Sequence, residues 1–310
     1  EKLKERIIEI SHLASIANLL SWDQEVMMPK KAIDLRAKSA AHLAGIIHKK
    51  FTELDFDGSL TVAKKQLDRG ELRDKESAIV SETWKEFERE TKLTESFVRD
   101  LAENVSKAQS VWAEARENNN FLLFLPHLSQ IVKLKRKEAK LAGYKNHPYD
   151  ALIDVYEPGA TTENVSKILN DLKIFLIPFI KKINLSKQKI NSKILKGNFP
   201  QEKQIKFNRF IAEKIGFDFE AGRIDKSVHP FTVEIHPRDV RITTRYKKND
   251  IFHSINSTIH EAGHGLYEQG LPIKYFGTPL AQSISLGAHE SQSRLWENNI
   301  GKSKGFLKYF

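Results

Sequence analysis

Within the segment from Ile251 to Gln269 stands the run His260-Glu261-Ala262-Gly263-His264. Two histidines four residues apart project from one face of a helix, so both imidazoles can reach one ion. Glu261 sits beside the first histidine, placed to hold a water on the ion rather than the ion itself. Zinc lowers the pKa of such a water toward neutrality, and a neighbouring carboxylate can then take its proton. The spacing therefore points to metal-assisted hydrolysis. A glycine in the middle of a helix costs roughly 1 kcal/mol relative to alanine. Gly263 thus predicts close approach of another backbone or of a substrate. A catalytic zinc also needs a third protein ligand. Glu290, in His289-Glu290-Ser291-Gln292-Ser293, is the candidate, on a second helix running on to Trp296. Spacing alone leaves His289, Glu268 and Glu297 open as alternatives.

The chain contains no cysteine, which excludes thiolate metal sites, disulfides and a cysteine nucleophile. There is no Gly-x-Ser-x-Gly elbow. Gly301-Lys302-Ser303 ends like a phosphate loop, but the upstream glycine position holds Trp296,.

The elements that must position the motif follow from periodicity. The helix over 251–269 carries Ile255, Ile259, Ala262 and Leu266 on its core side, with Asn249-Asp250 as N-cap and Gly270 as stop,. From Val228 to Tyr246 β-branched residues dominate, and Val240 and Ile242 alternate with Arg241 and Thr243 as in a half-buried strand,. Before Gly216 the chain reads as helix after helix. Leu13, Ala17 and Leu20 form one buried stripe; Ile79, Trp84 and Phe87, then Phe97, Leu101 and Val105, continue the pattern,. Asn118-Asn119-Asn120 with Pro126 mark one break. Pro158-Gly159 mark another, before a cap at Thr161 or Thr162. The expected architecture is mainly α, with a small β-sheet beside the His-Glu-x-x-His helix.

With 310 residues, 29% charged and 40% hydrophobic, the chain has the composition of a folded protein,. It has no stretch of about 18 uninterrupted apolar residues, so no membrane span is expected. Its first residues do not look like a signal peptide. A cytoplasmic location is the plain reading. Net charge is +10, but the lysines from Lys181 to Lys206 alternate with apolar residues as on a solvated helix face, and no nucleic-acid motif accompanies them. No nucleic-acid partner is expected.

Several ordered segments resemble the carboxypeptidase Taq family of zinc metallocarboxypeptidases over nearly the whole chain. They are Leu20-Ser21-Trp22-Asp23-Gln24-Glu25 through Met27-Met28-Pro29, Tyr149-Asp150-Ala151-Leu152 with Tyr156-Glu157-Pro158-Gly159, and Gly216-Phe217-Asp218-Phe219 with Gly222-Arg223-Ile224-Asp225. His229-Pro230-Phe231, Asp239-Val240-Arg241-Ile242-Thr243, Gly277-Thr278-Pro279-Leu280 and His289-Glu290-Ser291-Gln292 complete the series. The resemblance implies His260, His264 and Glu290 as ligands of Zn2+ (Co2+ also suits them) and Glu261 as general base and proton shuttle. It implies a helix-rich, zincin-like fold with a deep substrate groove. It further implies broad-specificity removal of C-terminal residues from peptides with a free C-terminus, and a homodimer.

The family pattern departs at Glu234, where glycine is expected, so the turn before the strand is expected to differ locally. Motifs of the form Ile-Arg-x-x-Ala and Gly-x-x-Gln-Asp-x-His-Trp are expected beyond Phe310. Residues 1–310 are thus expected to be the N-terminal and central part of one metallopeptidase domain, with the C-terminal part absent. About 1–215 would be its helical region and about 216–310 its metal-site region. Two further residues are weighed for substrate binding. Arg241 could grip a carboxylate, or pair with Asp239 or Asp250 to fix the strand. His229, held extended by the following proline, could contact substrate or serve structure. Thr243 and Asp239 read as orienting neighbours, and His236 and His253 as ordinary.

Overall fold

The computed structural model describes residues 2–55, 57–188, 195 and 197–310, so part of the lysine-rich stretch 181–206 lies outside the described residues. Eight helices come first: α1 (Lys2–Val26), α2 (Ile33–Thr52), α3 (Ser59–Asp68), α4 (Asp74–Glu90), α5 (Glu95–Glu117), α6 (Phe121–Ala142), α7 (Asp150–Ile153) and α8 (Thr162–Asn184). Next are α9 (Gln201–Lys214), strands β1 (Gly222–Lys226), β2 (Thr232–His236) and β3 (Asp239–Thr244), and α10 (Ile251–Gln269), α11 (Leu286–Arg294) and α12 (Lys304–Tyr309). The architecture is mainly α with one small sheet, as expected.

Local signals fix many of the helix starts. The side chains of Thr94, Thr161, Asp250 and Ser285 each accept a backbone N–H from the first turn of α5, α8, α10 and α11, satisfying donors that the helix leaves orphaned,. The break after α5 lies at Asn118–Asn120, with Asn119 left-handed at φ 48°. Pro126 makes no break. It sits in the second turn of α6, where a proline forfeits only one helix hydrogen bond.

The stripe Leu13, Ala17 and Leu20 is half-buried rather than buried; the fully covered side chains of α1 are Ile7, Ile10 and Trp22. Ala17 and Leu20 instead line a cavity of about 590 Å³ between α1, α2, α4 and α5, whose wall also carries Glu86 and Glu90. Phe97 is buried, whereas Val105 is exposed.

The sheet has the order β1-β3-β2, with β1 parallel and β2 antiparallel to the central β3. β1 was not foreseen as a strand: Gly-Arg-Ile-Asp-Lys offers a single large apolar residue to any pattern. β3 is more than half-buried. Val240 and Ile242 are covered, but so are Thr243 and Thr244, because a central strand is flanked on both sides. Its hydroxyls are satisfied: Ser227 Oγ donates to Thr243 Oγ1 (2.7 Å), and Thr244 Oγ1 bonds Ser257 Oγ (2.6 Å),. Glu234 lies within β2, opposite Val240. The backbone there is strand rather than the turn that the family pattern suggested, with the irregularity between Glu234 and His236.

Val240 and Ile242 pack with Ala212, Phe217 and Ala262, joining sheet, α9 and α10. Further along α10, Ile255 and Ile259 pack with Ile211 and Phe306. α10 is thereby held on both apolar flanks, and its polar face is free to carry the site.

Candidate metal centre

α10 presents His260 and His264 one turn apart, both partly buried, with ring centroids 4.9 Å apart. α11 crosses α10 at Gly263. A β-carbon there would lie 2.7 Å from Ser293 Cα and 2.9 Å from the Gln292 carbonyl oxygen. This is the close backbone approach that the mid-helix glycine predicted. It brings Glu290 over the two histidines, with Oε2 3.2 Å from His264 Nε2 and 3.6 Å from His260 Nε2. Among the described residues, His260, His264 and Glu290 offer ligand atoms that all lie within 4.8 Å of one another.

Each histidine is held from behind. His260 Nδ1–H donates to Glu297 Oε2 (2.9 Å), which leaves Nε2 facing Glu290. Glu297 reaches this place because α11 runs into a π-helical turn, Leu295–Ile300; such widened turns recur at functional sites. On the other side, His264 Nδ1 bonds His289 Nδ1, and His289 Nε2 bonds Glu268 Oε1. Glu268 can only accept from His289 Nε2–H, so His289 Nδ1 accepts from His264 Nδ1–H. Here too Nε2 of His264 is left to face the centre. The three residues that spacing left open as alternative ligands, His289, Glu268 and Glu297, all stand behind the histidines.

Electrostatics agree with a ligand set. Burial, with His289 and His260 close by, lowers His264 to about 4, so its imidazole is neutral near pH 7,. Burial opposes ionisation of Glu290, but hydrogen bonds from Ser293 and Arg294 prevail and hold it below the usual carboxylate range. Two imidazole nitrogens and one carboxylate oxygen form a donor set of the kind that holds divalent metals such as zinc,.

Glu261 is buried, and its side chain points toward β2, where Thr232 Oγ1–H donates to Glu261 Oε2 (2.7 Å). Burial raises the Glu261 carboxyl and the Thr232 hydrogen bond counters it. Thr232 was missed in the sequence, since a single threonine in a strand carries no signal. The carboxyl of Glu234 faces Glu268 and is pushed up to about 8 by burial and by that neighbour. A protonated Glu234 can donate to Glu268 Oε2, which has no other partner among the described residues.

The remaining candidates are not among the three clustered ligand residues, although the charge of His229 reaches Glu261. Arg241 forms a two-pronged pair with Asp239 (2.9 and 2.8 Å) and covers the Trp22 ring at 4.3 Å, tying β3 to α1. His229 is exposed, its Nδ1–H donating to the Pro230 carbonyl (2.6 Å), with Trp112 6.2 Å away. His253 packs at the start of α10, and His236 lies against Phe276.

A family model for carboxypeptidase Taq (M32) metallopeptidases matches residues 2–310. The chain belongs to the M32 family. It is 35% identical to carboxypeptidase 1 of Bacillus subtilis over 297 residues, covering 96% of this chain and 59% of that protein. It is 38% identical to thermostable carboxypeptidase 1 of Thermus thermophilus over 313 residues, 97% of this chain and 61% of the relative. The BsuCP crystal structure superposes with a TM-score of 0.95 at 34% identity, over 98% of this chain and 61% of that one. The M32 carboxypeptidase of Deinococcus radiodurans gives 0.83 at 34%, over 97% and 60%. The chain thus spans about three-fifths of the length of these relatives. An M32 metallopeptidase implies a divalent metal, and the His260–His264–Glu290 cluster fits one. Among the described residues, no helix is long and apolar enough to cross a membrane.

Proposed function

We propose that this chain carries the metal centre and general base of a zinc-dependent carboxypeptidase that removes C-terminal residues from peptides, with broad specificity. The observation that carries the reading is the convergence of one ligand atom each from His260, His264 and Glu290 within 4.8 Å of one another, beside a buried glutamate. The chemistry of the donors suits zinc, and cobalt equally. A divalent ion held there supplies Lewis acidity, acidifying a water and polarising the scissile carbonyl.

The protein's own groups do the rest. Glu297 and His289 fix the two ring orientations, and Arg294 and Ser293 fix Glu290. Glu261 takes the proton of the attacking water at its carboxylate and passes it to the departing amine. Thr232 keeps that carboxylate from swinging away. A homodimer and a cytoplasmic location rest on the resemblance and the composition alone; sedimentation of the purified chain tests the first.

The deciding experiment is release of the C-terminal amino acid from an N-blocked dipeptide by the zinc-loaded chain, with a chelator control and Glu261→Gln. Chelator-sensitive release that vanishes in Glu261→Gln, while zinc stays bound, supports the reading. Release that survives Glu261→Gln overturns the assignment of the base. Stoichiometric zinc without release means that these residues bind metal but do not suffice for hydrolysis.

A further inference from the structure

β2 lies along α10 with two of its side chains turned to the helix. Thr232 and Glu234 stand two residues apart in the strand and so share a face,. Glu261 and Glu268 stand seven residues apart in α10, two turns along one stripe,. Thr232 hydrogen-bonds Glu261, and Glu234 meets Glu268 carboxyl to carboxyl. On its other side the strand is pinned by α1. Asn18 Nδ2–H donates to the Glu234 carbonyl (2.8 Å), and Ser15 Oγ–H donates to that of Ile235 (2.6 Å).

Glu268 is buried, and its two oxygens have different duties. Oε1 accepts from His289, whose ring in turn accepts from His264. Oε2 faces only the carboxyl of Glu234 among the described residues. Two carboxyls in contact away from water share one proton. Glu268 accepts best from His289 as an anion, so the proton falls to Glu234. A buried Oε2 left without that donor would bear an unmet desolvation cost, relieved only by turning the carboxylate off His289. We propose, on the reading of His264 as a metal ligand, that Glu234 is a positioning residue for the metal centre. Its carboxyl donates to Glu268 Oε2 and, through Glu268 and His289, holds the His264 ring with Nε2 toward the ion. One face of β2 then steadies both the base, through Thr232, and a ligand histidine, through Glu234. Glycine, which the family pattern places at this position, brings no donor.

Three variants of the chain separate a hydrogen-bond donor from mere bulk. In Glu234→Gln the amide N–H can donate to Glu268 Oε2, Glu234→Leu keeps the bulk without a donor, and Glu234→Gly has neither. Zinc affinity is read by competition with a chromophoric chelator, beside the melting temperature of each metal-free chain. Glu234→Gln is expected to bind within about threefold of the parent, and the other two about tenfold more weakly, the lower end of what partners of a ligand histidine are worth. Loss in Glu234→Gly but not in Glu234→Leu assigns the residue to packing and overturns the proposal. So does equal affinity in all four chains, even where melting temperatures fall, and so does a loss in Glu234→Gln as large as in Glu234→Leu.

Failure of the parent itself to bind zinc overturns the metal-centre reading and this proposal with it; parent binding that no substitution at Glu234 changes overturns this proposal alone. Infrared difference spectra of the metal-free parent against Glu234→Gln, taken near neutral pH, give a readout that does not pass through the metal. The carbonyl stretch of a protonated carboxyl is expected in the parent and absent from the variant. A parent without that band holds two ionised carboxylates at this place, which overturns the proposal. Should Glu234→Leu fail to fold, Glu234→Gly, Glu234→Gln and the infrared measurement still decide.

Discussion

Gly263 and Ser293 meet backbone to backbone: a β-carbon on the first would lie 2.7 Å from the α-carbon of the second. Backbone cannot swing aside as a side chain can, so this contact sets the distance at which α11 holds Glu290 above α10. Gly263→Ala should cost about 1–3 kcal/mol by overpacking. It should also weaken zinc binding at least tenfold, read by competition with a chromophoric chelator, because Glu290 is pushed off the histidines. Gly265 is the control. Its β-carbon would meet the Phe217 ring at 2.6 Å, so Gly265→Ala should lower stability and leave zinc affinity nearly unchanged. Equal zinc affinity in Gly263→Ala and the parent would show that the contact does not position Glu290.

His289 offers a second test. His289→Phe keeps a ring of similar size but removes the acceptor for His264 Nδ1–H and strands Glu268 in the interior. Partners that orient a ligand histidine are typically worth 10–100-fold in metal affinity. A loss in that range is expected, against no loss for His236→Phe, whose ring lies against Phe276 and makes no recorded contact with His260, His264 or Glu290. If His289→Phe binds zinc as the parent does, His289 does not orient His264.

Metal removal should be visible as unfolding at lower temperature. A ligand present at a thousand times its dissociation constant adds about 4 kcal/mol. Zinc should therefore raise the melting temperature of the chain and excess chelator should lower it, with both effects lost in His260→Ala. A melting temperature indifferent to zinc in the parent would count against the ligand set.

The cavity among the first helices predicts a pH effect. Burial, with Glu90 beside it, pushes the Glu86 carboxyl up to about 7 from 4.5. The folded chain therefore holds a proton that the unfolded chain has released between those values. Its contribution is most favourable below pH 4.5 and is lost as pH rises through 7. The Glu86 side chain keeps contact with solvent through the cavity, so screening reduces the cost of its charge above pH 7,. Glu86→Gln should melt higher than the parent at pH 8 and about equally at pH 5,. An equal gain at both pH values would mean that charge is not the cause.

How far these features were legible depends on how local their causes are. α10, its Asp250 cap and the two histidines could be read directly, since helix period and capping are properties of neighbouring residues. Gly263 even announced a close approach to α10, by a backbone or a substrate, without saying which. Which group would close the site could not be settled from spacing: Glu290 was the candidate, with His289, Glu268 and Glu297 left open until the crossing and the π-helical turn give each its place. Thr232 reaches Glu261 only through the register of β2 against β3, a long-range property. The half-burial of Leu13, Ala17 and Leu20 was likewise hidden, since periodicity shows which face turns inward and not whether anything fills the space.

The turn from Leu295 to Ile300 makes the site depend on counting as well as on identity. A π-helical turn accommodates one residue more than an α-helical one. Deleting any single residue between Leu295 and Ile300 would restore ordinary spacing and rotate the segment C-terminal to the turn by about 100°. Every side chain could remain of the right kind, and yet His260 would lose Glu297 or Phe306 would lose its seat beside Ile259. At this place the length of the chain is itself a functional residue.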